Sequence, residues 1–279
     1  MSGGLFRGMD KDSRFAGFLR GLRKDVLSAD VDAGLKGLVV VSAHWEGRGA
    51  FLVNDADRPE LLFDYYGFPD DMYKIEYPAR GDPALARRVA SLLSGASLEV
   101  GYDRSHGLDH GVFVPLKLAF PDATVPIVQV SLHGSLDPLL HIRAGEALAP
   151  LLSEGVSVIG SGFATHNLAE MRMTASPSGE GDDDSVPRWV KEWEQDLTAA
   201  CTEGDAGKRR ELLLGLSGHR HFRRAHPREE HFIPLLVAAG AGMPPADAAG
   251  GGGAKLPPPK RIFNAFMNFT GCAASYCWP

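Results

Sequence analysis

Three short apolar runs mark the chain, and each ends in polar residues: "GLVVVSAHW" at 37–45, "VPIVQVSLHG" at 125–134 and "VSVIGSGFATHN" at 156–167. Runs of this length, rich in Val and Ile, predict buried strands. Between them apolar positions recur at helical spacing in "DPALARRVASLL" (82–93) and "LDPLLHIRAGEALAPLL" (136–152). Both stretches carry an Asp-Pro pair at their start, so Asp82 and Asp137 are predicted N-caps, with Pro83 and Pro138 at the first helical position. Strands alternating with helices predict an α/β sandwich, with a central, largely parallel or mixed sheet flanked by helices. Further on, Trp189, Trp193 and Leu197 recur at helical spacing and are expected to anchor a helix in the core. The closing "KRIFNAFMNFTGCAASY" regains β character and predicts an added edge strand. Two stretches, 175–187 and 242–259, are too rich in Gly, Pro and polar residues to pack and are expected to be flexible.

Composition narrows the class. With 279 residues, 44% hydrophobic and 23% charged, the chain can bury a sizeable core. No apolar run approaches the ~20 residues that span a bilayer, and the opening "MSGGLFRGMDKDSR" lacks an apolar signal-peptide core. A cytoplasmic protein with no membrane partner is therefore expected. Cys201, Cys272 and Cys277 form an odd set without a CxxC pair, which argues against disulfides or a cysteine-type zinc site. The net charge of −6, with no basic stripe, argues against nucleic acid as partner.

The histidines carry the chemistry. His44 closes the first apolar run, His133 the second, and His166 follows the third. Ligands of open α/β sheets bind beyond the carboxyl ends of strands, so polar residues there share one edge. His231, in "HPREEHFIPLLVAAGAG", follows Pro227, Glu229 and Glu230, which read as an acidic first turn, and stands at the start of an apolar helix. In "SHGLDHGVFVPL" (105–116), His106 and His110 are four apart, but Gly107 and Gly111 argue against a helix through both. A loop turning into a helix near Val112, with Pro115 in its first turn, is the expectation. Neutral imidazoles converging with a carboxylate suit Zn(II) or non-haem Fe(II). No G-x-S-x-G elbow or dinucleotide fingerprint competes. From the residues alone, the chain reads as a metal-dependent or histidine acid–base enzyme.

The ordered set "VVVSAHWE", "GFPDDMYKIEYPARGDPALA", "GLDHGVFVPL", "VPIVQVSLHGSLDP", "GSGFATHNL" and "HPREEHFIPLLVAAGAG" resembles the class III, LigB-like extradiol ring-cleavage dioxygenases, and within them the 4,5-DOPA dioxygenase extradiol group. The resemblance covers roughly residues 15–245 and implies a single domain over 1–279. It implies a mononuclear non-haem Fe(II) or Zn(II) centre, with a DOPA-like catechol and O2 as substrates and both oxygen atoms entering the product. By motif, "SAHW" makes His44 a metal ligand and "EHFIPLL" makes His231 a second. "THNL" places His166 in the site, as metal-site histidine or acid–base residue. "DHG" makes His110 the residue that handles catechol and intermediate protons, with Asp109 orienting its ring. His106 and His133 match no family site position, and His226 receives no role.

Relatives begin with a strand ending in "HGSP" or "HGGGP", whose His is a metal ligand, whereas this chain starts "MSGGLFRGMDKDSRF". The end, "ASYCWP", also departs from their basic, aromatic "SAYRF"-like segment. These departures raise an alternative expectation, an inactive or weakly metal-binding homologue of the same fold. A zinc-dependent hydrolase is the remaining reading of the same histidines. The particular catechol and the oligomeric state have no signature in the sequence.

Overall fold

The computed structural model describes residues 13–25, 34–173, 186–243, 258–267 and 271–278. In chain order the elements are α1 (Arg14–Asp25), β1 (Gly37–Gly47), β2 (Phe51–Val53), β3 (Leu61–Leu62), α2 (Pro83–Gly95), β4 (Val100–Tyr102), β5 (Leu108–Asp109), α3 (His110–Ala119) and β6 (Ile127–His133). Then follow α4 (Pro138–Leu148), α5 (Pro150–Ser153), β7 (Val156–Ser161), α6 (Leu168–Met173), α7 (Arg188–Thr202), α8 (Ala206–Gly215), α9 (Phe222–Ala225), α10 (Ile233–Ala241), β8 (Lys260–Met267) and β9 (Gly271–Cys277).

The main sheet has five strands in the order β4-β2-β6-β1-β7. β1 runs parallel to both β6 and β7, and only the β2–β6 contact is antiparallel. This is the mixed α/β sheet that the alternation of strands and helices predicts. Both faces of β1 are apolar because both are covered, as parallel sheets require. Val39 and Val41 join a core that includes α2, α4, α7 and α10, while Leu38 and Val40 join a second core under α3. Asp82 and Asp137 cap α2 and α4 by accepting from Ala84 N and Leu85 N, and from Leu139 N. Trp189, Trp193 and Leu197 are buried, as their spacing predicts.

Three expectations need revision. Among the described residues the C-terminal segment does not extend the main sheet: β8 and β9 pair with each other, antiparallel. Two β-prone runs separated by a short connection close on themselves at little entropic cost, and this hairpin is clamped to α7 by Arg261 on Glu194 and by Tyr276 Oη with Thr198 Oγ1. The helix of the "DHG" segment starts at His110, ahead of the expected Val112, and includes Gly111, so Pro115 sits inside it rather than in its first turn. Glu229 and Glu230 lie in the turn ahead of α10, not in its first turn. Of the segments expected to be flexible, 175–187 and 242–259, residues 175–185 and 244–257 lie outside the described residues. No helix among the described residues is long and apolar enough to cross a membrane.

Candidate metal centre

The β1–β6 ladder is regular from Leu38↔Ile127 to Val41↔Val130 and resumes only at Glu46↔Leu132. Five residues of β1 therefore advance against two of β6. Such an irregularity bends a strand and re-aims its side chains. His44 sits in it, at the carboxyl end of the sheet. Its Nε2 lies 3.2 Å from Nε2 of His231, which comes from the turn preceding α10. That turn and the start of α10 are seated by two glycines two apart, Gly160 in β7 and Gly162 just past its end. A Cβ on Gly160 would lie 2.1 Å from Pro234 O, and one on Gly162 would lie 2.2 Å from His231 O. The "GSG" of the third apolar run is thus what lets the His231 backbone rest directly on the strand.

A carboxylate stands behind each of these imidazoles. His44 Nδ1 donates to Asp64 Oδ2 at 2.9 Å, and His231 Nδ1 lies 3.2 Å from Glu230 Oε1. Asp64 is shared, since His110 donates to its Oδ1 from Nδ1 at 2.7 Å and from the backbone N–H at 3.0 Å. His44 and His110 meet edge-on with ring centroids 3.9 Å apart. His166 stacks on His231, with centroids 3.4 Å apart and planes 12° from parallel. The structure therefore brings His44, His110, His166 and His231 into one cluster. It leaves His106 stacked on Trp45 at 4.2 Å and His133 on Ser135 Oγ at 2.8 Å, both outside that cluster.

Asp109 does not orient His110. It is fully buried, accepting from Ser42 Oγ at 2.7 Å and from Gln129 Nε2. Asp64 orients His110 instead, and sequence reading passed it over. The available signal was one acidic residue inside the aromatic run "FDYYGF". His226 is also fully buried, with Nε2 donating to Ala164 O at 3.0 Å; Trp193 Nε1 donates to the same oxygen at 2.7 Å. These two bonds, with His166 N–H on Ala225 O, hold the turn that carries His166.

Burial is the largest influence on His44 and disfavours its charge, but the hydrogen bond to Asp64 and the charges of Asp109, Asp64 and Glu230 outweigh it and raise its pKa. Burial likewise opposes ionisation of Asp64, yet its bonds from His110 and His44 hold it well below the ordinary carboxylate range. The bond from His231 brings Glu230 down to about 2, against burial. Burial, then the neighbouring His231, pushes His166 down to about 3, so its ring is neutral. Burial also lowers His231.

This donor set fits a metal ion. Two nitrogens each about 2.1 Å from one ion stand roughly 3–3.4 Å apart, which brackets the His44–His231 separation. Carboxylates on the outer nitrogens fix ring orientation and raise ligand basicity. His166 stacks face-to-face with His231, and one ligand atom from each of His166, Glu230 and His231 lies within 4.8 Å of the others, so these three could also hold an ion. A cavity of about 300 Å³ is lined by residues of α1, α3, β7 and the hairpin, among them Gly111, Ser161 and Gly162, and by none of the four clustered histidines. Its walls are mostly apolar, so it does not add to the donor set.

Residues 10–248 match the family model described as the catalytic LigB subunit of aromatic ring-opening dioxygenase. The chain is 41% identical over 212 residues to a 4,5-DOPA dioxygenase extradiol-like protein of Schizosaccharomyces pombe, covering 74% of this chain and 68% of the relative. It is 39% identical over 207 residues to a 4,5-DOPA dioxygenase extradiol of Beta vulgaris, covering 74% of this chain and 73% of the relative. The crystal structure of an uncharacterised Escherichia coli K12 protein superposes with a TM-score of 0.72 at 26% identity, covering 96% of this chain and 93% of that one.

Proposed function

The chain belongs to the LigB family of aromatic ring-opening dioxygenases, and from that premise we propose that it opens a catechol ring outside the diol, with O2 as co-substrate. The observation that carries this reading is the facing pair His44 Nε2 and His231 Nε2, each backed by a carboxylate. His44 and His231 would hold the ion through these nitrogens. Non-haem Fe(II) bound there would supply redox-active Lewis-acid chemistry, with positions left open for a diol and O2.

The chain's own residues do the rest. Asp64 and Glu230 keep a proton on the outer nitrogen of each ligand, so that the inner nitrogen offers its lone pair. His110, held by Asp64 through Nδ1, accepts a catechol hydroxyl proton at Nε2 and returns one to the ring-opened product. Of the two roles the resemblance implies for His166, its stacking on His231, rather than facing His44, favours the acid–base one. Both oxygen atoms enter the product, so no external reductant is needed. A DOPA-like side chain is the proposed substrate feature, on the strength of relatives named for that catechol.

The test is anaerobic loading with Fe(II), then oxygen and a panel of catechols that includes DOPA. Yellow ring-cleavage products and stoichiometric oxygen uptake are expected. His44→Ala and His231→Ala should abolish both, and His110→Gln should lower kcat by about 10²–10⁴-fold. No oxygen uptake with any catechol would sink the reading. A second reading, metal binding without ring cleavage, rests on the same facing pair. Stoichiometric metal uptake without oxygen consumption would select it.

A further inference from the structure

We propose that Asp64 is a shared positioning residue that sets the tautomers of His44 and His110 together, so that each ring presents Nε2 to the site. An ionised carboxylate only accepts hydrogen bonds. Asp64 Oδ2 takes one from His44 Nδ1, while Oδ1 takes two from His110, through Nδ1 and the backbone N–H. Both rings must therefore carry their proton on Nδ1, which leaves Nε2 as the lone-pair nitrogen of each. One side chain thus specifies the ligand atom on one histidine and the proton-accepting atom on the other.

The placement of Asp64 is built into the fold. β3 and β5 form a two-residue parallel pair, with Leu61↔Leu108 and Leu62↔Asp109 in register. Asp64 lies two residues past β3 and His110 one residue past β5, so this register delivers the carboxylate to the first turn of α3. Gly107 makes the approach possible. A Cβ there would lie 2.7 Å from Glu60 O and 3.2 Å from Leu62 N, and Leu108 N–H reaches Glu60 O at 2.8 Å. The glycine between the two histidines of "SHGLDHG" thus serves a carboxylate more than forty residues upstream.

An amide at position 64 makes a sharp distinction. Asn has one accepting oxygen and one donating nitrogen. The oxygen belongs on the Oδ1 side, where His110 offers two hydrogens, so the amide nitrogen faces His44. His44 can meet it only by moving its proton to Nε2, which removes the lone pair toward His231. Asp64→Asn is therefore expected to flip His44 and to spare His110.

The inference rests on reading His44 as a metal ligand and His110 as an acid–base residue, but its first readout depends on neither. Nitrogen-15 NMR of the metal-free, full-length protein at pH 9, assigned with His44→Gln and His110→Gln, reports each tautomer. Wild-type protein should show Nδ1–H for both residues, and Nε2–H at either would overturn the proposal without any variant at position 64. In Asp64→Asn, His44 should switch to Nε2–H, and Zn(II) titration should show affinity weaker by about 10–100-fold. An unswitched His44 with Zn(II) affinity within twofold of wild type would also overturn it. If the tautomers come out as stated while no catechol consumes oxygen, the ring-cleavage reading falls and the role of Asp64 stands.

Discussion

His226 is enclosed by the rings of Trp193, Phe222 and Phe232, and burial brings its pKa down to about 4 against the favourable bond to Ala164 O. The consequence for stability has a definite sign. Above about pH 6.5 the ring is neutral in both folded and unfolded chains, and nothing is lost. Below it the unfolded chain binds a proton that the folded chain refuses, so stability falls as pH drops from about 6.5 toward 4, by about 3 kcal/mol in all. His226→Gln keeps a donor for Ala164 O but does not titrate. Urea denaturation in steps across that range should show a shallower acid limb for the variant than for wild type. The limb will not vanish, because His166 is depressed for the same reason, burial first. Identical slopes in the two proteins would contradict this account of His226.

At the scale of elements, α3 carries a proline in its interior and remains a helix through Ala119. Pro115 has no N–H for the carbonyl of Gly111 four residues back. Ser161 Oγ, at the end of β7, donates to that carbonyl at 2.6 Å and replaces the missing bond. Ser161→Ala should therefore cost about 1–2 kcal/mol by urea denaturation, as for other bonds whose buried acceptor is left bare. In a Pro115→Ala background the backbone N–H returns, and the same serine change should cost clearly less. The double-mutant cycle measures that difference, and additivity would refute the pairing. Such cross-element bonds also explain how far the sequence could be read. The strands and the Asp-Pro helices were legible because period, cap and proline act within one turn or one run. Asp64 was not, because its partners lie 20 and 46 residues away and meet it only through the β3–β5 register. The hairpin is hidden from the sequence for the same reason, since β propensity says nothing about which edge a strand will find. Of the cluster, His44, His110, His166 and His231 could be named by motif, but both carboxylates that hold their rings emerged only from the folded chain.

At the scale of the molecule, the two proposed ligands come from different layers. His44 belongs to β1 of the sheet, and His231 to the turn entering α10, which docks on the sheet through Ile233, Leu236 and Val237. They are 187 residues apart. An ion shared by them would tie sheet to helical layer, and the unfolded chain has no comparable site. Binding to the folded state alone stabilises by about 2.7 kcal/mol at one hundred times Kd. Thermal unfolding with Zn(II) in that excess should therefore occur several degrees above unfolding in EDTA. His231→Ala should erase the difference while leaving the EDTA value within a few degrees of wild type, because α10 keeps its apolar anchors. A metal-induced shift that survives in both His44→Ala and His231→Ala would place the ion elsewhere. That outcome would remove the observation on which the proposed ring cleavage depends.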